Sequence, residues 1–146
     1  MTEQDIEIEE VVKVDDKLVA AMDRLIPQLS SSNKPPDRSS LEEIVASGSS
    51  VLLAALIDGE IVGSLTLVTF NIPTGKRAWI EDVVVDEKCR KKGIGEALNR
   101  HAINIAKKVG AKTVDLTSRP SREAANRLYD RLGFTKRDTN IYRFEI

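Results

Sequence analysis

Apolar and polar positions along the chain follow two different periods, and the switches between them mark out its elements. Residues 6–14, "IEIEEVVKV", alternate and then run apolar, the pattern of a strand. Leu18, Met22, Leu25, Ile26 and Leu29 then recur at helical spacing over about 17–29, behind Asp15 or Asp16 as a cap. "SSSNKPPDRSS", residues 30–40, is a loop by composition. Ser39 or Ser40 then begins a short helix to about Ala46, with Ser40-Leu41-Glu42-Glu43 in capping-box order. "VLLAALID" (51–58) and "IVGSLTLVTF" (61–70) flank Asp58-Gly59-Glu60, a strong hairpin signal. "RAWIEDVVVD" (77–86) adds a third strand to that meander. Ile94, Leu98, Ala102, Ile105 and Val109 form one helical stripe, with Gly110 placed as its cap. "AKTVDLTS" (111–118) reads as a strand, and Ser121–Leu132 as a helix stopped by Gly133. The last stretch, "FTKRDTNIYRFEI", predicts two short strands or one with a bend. The resulting order, β-α-α-β-β-β-α-β-α-β(β), is mixed α/β with an antiparallel front and a parallel crossover behind.

Composition narrows the classes. At 146 residues the chain reads as one domain, 1–146, able to bury a single core. Its 41% hydrophobic and 31% charged residues exclude disordered and fibrous classes. No apolar run is long enough to span a bilayer, and the acidic start "MTEQDIEIEE" is unlike a signal peptide. One cysteine excludes an internal disulfide framework and fits a cytoplasmic protein. The net charge of −1 hides a division: residues 1–75 hold five Lys/Arg against thirteen Asp/Glu, and residues 76–146 hold seventeen against ten. With aromatics at 4% and basic residues interleaved with acids, a local anion site is expected rather than a nucleic-acid surface.

That site is expected at "CRKKGIGEALNRH", residues 89–101, where Arg90, Lys91 and Lys92 precede Gly93 and Gly95 between a valine-rich strand and a helix. Walker A chemistry needs Gly-x4-Gly-Lys-Ser/Thr, which is missing. A dinucleotide fingerprint needs a third glycine where Leu98 stands. Arg90-x-x-Gly93-x-Gly95 satisfies a third template, Arg/Gln-x-x-Gly-x-Gly/Ala. There, glycines let main-chain N–H groups approach a pyrophosphate, and the helix N-terminus and basic side chains neutralise it.

Three stretches in order, "WIEDVVVDEKCRKKGIGEAL", "AKTVDLTS" and "SREAANRLYDRLGF", resemble the GNAT superfamily of N-acetyltransferases over residues 79–134. The resemblance implies acetyl-CoA bound between two splayed strands. Main-chain groups of Val83, Val84 and Val85 would hold the pantetheine arm, and the amides of Arg90, Lys91, Lys92, Gly93, Ile94 and Gly95 the pyrophosphate. Lys91 and Lys92 also have a plainer reading as solvated surface charges.

Strand alternation puts Trp79, Glu81, Val83 and Val85 on one face and Ile80, Asp82, Val84 and Asp86 on the other, unless a bulge redirects them. Only a neutral amine attacks a thioester, so a nearby carboxylate is needed to take its proton. The resemblance points to Glu81 as base; Asp82, a water, or a structural pairing of Glu81 with Lys76 or Arg77 stays open. Tyr129, in Leu-Tyr-x-x-x-Gly-Phe, would be the proton donor near the CoA sulfur, and Asn126 a hydrogen-bonding partner of the CoA arm. His101 and Cys89 have no partner in the sequence pattern, and no metal-ligand spacing occurs. The implied acceptor is an amine-bearing small molecule or peptide. A homodimer is compatible with the resemblance without any residue establishing it.

Overall fold

The computed structural model describes residues 5–146. Strand β1 (Ile6–Glu10) is followed by helices α1 (Asp16–Leu29) and α2 (Arg38–Ala46). The meander β2 (Ser50–Ile57), β3 (Glu60–Ile72) and β4 (Gly75–Val85) comes next. A single 3-10 turn, Glu87–Cys89, leads into α3 (Ile94–Lys108), then β5 (Val114–Asp115) and α4 (Glu123–Leu132). The strands form one sheet in the order β1-β2-β3-β4-β5, antiparallel except for the parallel β4–β5 pair.

Three layers follow from side-chain alternation in β2, which is apolar on both faces. Leu53, Ala55 and Ile57 join a core with Leu65, Leu67, Ala78, Ile80, Ile94, Leu98, Ala102 and Ala106, between the sheet and α3. Leu52, Ala54 and Leu56 join Leu18, Ala21, Met22, Leu25 and Leu41, between the sheet and α1/α2. Burying Leu18, Met22 and Leu25 contributes roughly 1.5–3 kcal/mol each, against about 1 kcal/mol for the Asp15 cap, whose carboxylate accepts from the Leu18 N–H at 2.9 Å. Docking, more than capping, therefore holds α1 in place.

The Asp58-Gly59 hairpin forms as expected, with both residues at positive φ (51° and 79°). Two register shifts then reshape the sheet. One lies between β2 and β3 at Ala55/Leu56. In the other, Thr66 pairs with Glu81 and Ser64 with Val84, so β4 carries an extra residue opposite Leu65. Asp82, within the bulge, has φ 51°.

That bulge corrects the simple alternation. Ile80 shares the α3-facing core with Val83 and Val85, whereas Val84 packs on the α1/α2 side. Four other expectations shift. Strand β1 stops at Glu10, although the Val11 N–H still bonds the Leu52 carbonyl at 2.9 Å. Asp37, not Ser39 or Ser40, caps α2, accepting from the Ser40 N–H at 2.8 Å. Strand β5 shortens to two residues. No strand forms in residues 134–146.

One buried carboxylate anchors the end of β4. Asp86 accepts from Arg24 Nε at 3.3 Å and from the Lys88 N–H at 3.1 Å. Gln28, one turn after Arg24 on α1, accepts from the Glu87 N–H at 2.9 Å. Burial would push the Asp86 carboxyl up, but the Lys88 amide, Arg24 and Gln28 together outweigh it and hold the carboxyl below its usual range.

Two outcomes are expected. A carboxyl lowered by folding contributes stability above its unfolded value of about 3.9, and that stability is lost as pH falls through the folded value. Arg24→Ala should therefore cost about 1–3 kcal/mol at pH 7 by urea unfolding, with the difference from wild type shrinking below about pH 4. At Gly63, an added Cβ would lie 3.1 Å from Ile94 Cγ2, 3.1 Å from the Val84 carbonyl and 3.3 Å from Leu98 Cδ1. Gly63→Ala should lower the urea midpoint, at an overpacking cost of about 1–3 kcal/mol.

Candidate active site

The site begins where β4 and β5 part. Their ladder pairs Ala78 with Val114 and Trp79 with Asp115, and goes no further. From Ile80 to Val85, β4 remains bonded to β3 but, among the described residues, has no strand on its other side. The main-chain groups of Val83, Val84 and Val85 therefore border an opening whose far wall is α4.

The glycine turn lies at the end of that opening. Lys91 (φ 67°) and Gly93 (φ 82°) are both left-handed, and such alternation turns successive N–H groups toward one concavity. Helix α3 starts there with no side-chain cap on its first turn, whereas aspartates cap α1, α2 and the 3-10 turn. The first N–H groups of a helix lack partners within it, so this end is suited to an anion. A Cβ on Gly93 would meet nothing within 4 Å, so the space over the turn is open. A Cβ on Gly95 would touch Leu128 Cδ2 at 3.4 Å and Val85 Cγ2 at 3.9 Å, so this glycine floors the opening between β4 and α4. Glu96, the one acid of the first turn, is turned toward α4 and neutralised. Hydrogen bonds from Arg131 (3.2 Å) and then Arg100 (3.4 Å) hold its carboxyl below the usual range. An open, uncapped, basic turn next to an unpaired strand edge fits the pyrophosphate and amide-bearing arm of an acyl-CoA.

Helix α4 is amphipathic yet buries no residue completely; Ala125, Leu128, Tyr129 and Leu132 are half-buried. The Tyr129 ring meets Phe134 edge-on, with centroids 5.7 Å apart. Burial pushes the phenol above its usual value, and Arg122 only partly offsets this, so the hydroxyl keeps its proton. The Asn126 amide donates to the carbonyls of Arg119 (2.9 Å) and Arg122 (2.8 Å). Those bonds shape the approach to α4 and leave only the side-chain oxygen for a ligand.

The two acids of β4 are held differently. The Trp79 indole N–H donates to Glu81 Oε1 at 2.6 Å. The pairing considered with Arg77 does not form, since that guanidinium bonds Thr74 and Thr113 instead. Asp82 is exposed in the bulge, yet partial burial of its carboxyl, and then the neighbouring Glu81, push its carboxyl up. Trp79, Arg24, Gln28 and Asp86 are supporting residues that sequence reasoning missed. A Trp-x-Glu spacing on a strand, which puts both side chains on one face, was the available signal for Trp79. Asp86, Arg24 and Gln28 had none, because 62 residues separate Arg24 from Asp86. Asn99, wholly buried, donates to the Gly95 carbonyl at 2.8 Å, while its own oxygen has no hydrogen-bond partner among the described residues. Among the described residues no group of His, Cys, Asp and Glu is arranged to hold a metal, and no helix is long and apolar enough to cross a membrane.

Comparison with known proteins agrees with this geometry. The chain is 37% identical over 89 residues to the uncharacterized N-acetyltransferase YhdJ of Bacillus subtilis (strain 168), covering 59% of this chain and 63% of that protein. It is 38% identical over 68 residues to the uncharacterized N-acetyltransferase MJ1207 of Methanocaldococcus jannaschii, covering 47% of this chain and 30% of that protein. These matches thus span less than two thirds of either relative. In fold, the chain superimposes with a TM-score of 0.84 on an aminoglycoside acetyltransferase, meta-AAC0020, from an uncultured soil metagenomic sample, solved in complex with sisomicin. That match covers 97% of this chain and 95% of the other, at 19% identity. The acetyltransferase (GNAT) family profile matches residues 18–134, a range that includes the parted strands, the glycine turn and Tyr129. With sequence profile and site geometry in agreement, the chain belongs to the acetyltransferase (GNAT) family.

Proposed function

We propose that this protein transfers an acetyl group from acetyl-CoA to a primary amine by direct attack on the thioester. The observation that carries this reading is the unpaired edge of β4 running into the uncapped N-terminus of α3. Acetyl-CoA, when bound, supplies the activated acetyl group. The β4 edge at Val83–Val85 aligns the arm by main-chain hydrogen bonds, as a strand would. The turn from Arg90 to Gly95 takes the pyrophosphate, with the helix terminus and local cations balancing its charge.

Glu81 serves as base in this scheme, taking a proton from the ammonium so that the neutral amine's lone pair can attack the thioester carbonyl and form the C–N bond. The Trp79 bond leaves Glu81 Oε2 free for that task and fixes the carboxylate's orientation. Tyr129 donates a hydrogen bond to the sulfur as the C–S bond breaks; no other hydrogen bond holds its hydroxyl among the described residues. Asp82 is a second reading for the base, favoured by its raised pKa. The acidic bias of residues 1–75 supports a cationic acceptor, such as a polyamine, an aminosugar or a peptide amino group. The single cysteine is consistent with a reducing cytoplasm.

Acetyl-CoA at about a hundred times its Kd should stabilise the protein by roughly 2.7 kcal/mol in thermal unfolding. Gly93→Asp, which places a carboxylate at the anion site and strains a left-handed position, should abolish that shift; an undiminished shift would place the donor elsewhere. Tyr129→Phe should lower kcat about 10–100-fold with the donor Kd unchanged.

Glu81→Gln should lower kcat about 100-fold or more, and Asp82→Asn should be milder; the reverse order would make Asp82 the base. Stability separates the two acids as well. A carboxyl raised by folding destabilises the protein above its unfolded value of about 3.9. Asp82→Asn should thus be at least as stable as wild type at pH 7, with its advantage vanishing below about pH 4.

A further inference from the structure

We propose that the acceptor is a primary amine with one positive charge and a flat apolar body on a short alkyl spacer, an arylalkylamine rather than a polyamine or an aminosugar. This narrows the cationic acceptors named above and rests on the transfer reading, with Glu81 receiving the amine. The observation behind it is a strip of sheet that the helices leave bare. Leu65, Leu67, Ala78 and Ile80 point into the α3-side core. Their neighbours Thr66, Val68, Trp79 and Glu81 therefore lie on the opposite face, and the bond from the Trp79 indole to Glu81 agrees with that placement. On this face α1 and α2 pack over Leu52, Ile61 and Val84, but over none of residues 66–81. Glu81 is exposed, Val68 and Trp79 are half-buried, and Phe70 is 38% exposed.

The order of residues along the strip sets the shape of what it takes. Glu81 pairs with Thr66, Trp79 with Val68, and Arg77 with Phe70. At strand spacing, Trp79 lies about 7 Å and Arg77 about 13 Å from Glu81. An ammonium held by the Glu81 carboxylate thus sits beside the indole, a favourable place for a cation. A ring one short spacer away covers Trp79, Val68 and the diagonally placed Phe70, taking apolar surface on both sides out of water. The far end of the strip rejects a second positive charge. The Arg77 guanidinium bonds the hydroxyls of Thr74 and Thr113 rather than a carboxylate. Lys112 Nζ, donating to the Thr74 carbonyl at 2.9 Å, adds another cation there. A polyamine or aminosugar laid along the strip would bring like charge toward that end. An uncharged ring brings none.

Trp79 is the single tryptophan of the chain, so its emission reads the strip directly. The full chain is titrated with 2-phenylethylamine and with spermidine in the presence of CoA, which has no acetyl group to give. 2-Phenylethylamine should change the emission with a Kd at least about 10-fold below that of spermidine, and Phe70→Ser should raise that Kd about 10-fold with the acetyl-CoA Kd unchanged. An emission indifferent to 2-phenylethylamine, or spermidine binding as tightly, would overturn the proposal. Should Phe70→Ser fail to fold, Arg77→Gln decides: it should tighten spermidine alone, and an unchanged gap between the two amines would refute the charge argument and the assignment with it. With acetyl-CoA present, 2-phenylethylamine should release CoA at a higher kcat/KM than spermidine does. A preference for spermidine would sink the acceptor class and leave transfer intact. No release with either amine, despite a thermal shift with acetyl-CoA, would sink the transfer reading and this inference together.

Discussion

A backbone inside a folded protein needs hydrogen-bond partners, and the free edge of β4 beyond Trp79 is the constraint around which the molecule is arranged. On one side β4 is held by the longest ladder in the sheet, interrupted by the bulge at Asp82. On the other it pairs with β5 over only two residues. The pairing divides the strand into a fixed part and an open part. α3 closes one end of the opening, α4 lines its wall, and α1 anchors the corner behind it. In the proposed function, an extended ligand bearing amides and a pyrophosphate would satisfy both the strand edge and the helix terminus in one stretch.

Much of the fold was legible because each face of the sheet has its own helical layer. The apolar stripes of α1 and α3, the Asp58-Gly59 turn and the Gly133 stop all encode local conformations that tertiary packing does not contradict. Features requiring knowledge of a neighbour were illegible. Alternation failed in β4 because the extra residue opposite Leu65 is defined by pairing with β3. Ser40 matched a capping box, but the chain reaches α2 in a geometry that lets the Asp37 carboxylate arrive first. The shortness of β5 depends on how far two strands stay parallel before parting, which its sequence does not record.

The candidate site shows the same division. Its main-chain elements, the valine strand and the glycine turn, were visible because glycine placement reports backbone shape. Side-chain support was less so. Trp79 orients Glu81 from two residues away, and Asp86 is satisfied by a helix from the other side of the sheet. Asn126 has a polar side chain on the expected face, yet its donors serve the preceding loop. Residue type and spacing nominated Glu81 and Asn126, but the destination of each hydrogen bond required the three-dimensional arrangement.

The grip of α1 on the Asp86–Glu87 corner connects two regions that the sheet otherwise separates. Arg24 and Gln28 lie on the layer opposite α3, and the residues they hold lead directly into the glycine turn. A movement of α1 would thereby reach the glycine turn through short, directional bonds rather than through soft packing alone. A ligand that displaced α1 and an anion held at the turn would then be coupled, each changing the other's affinity by the same factor.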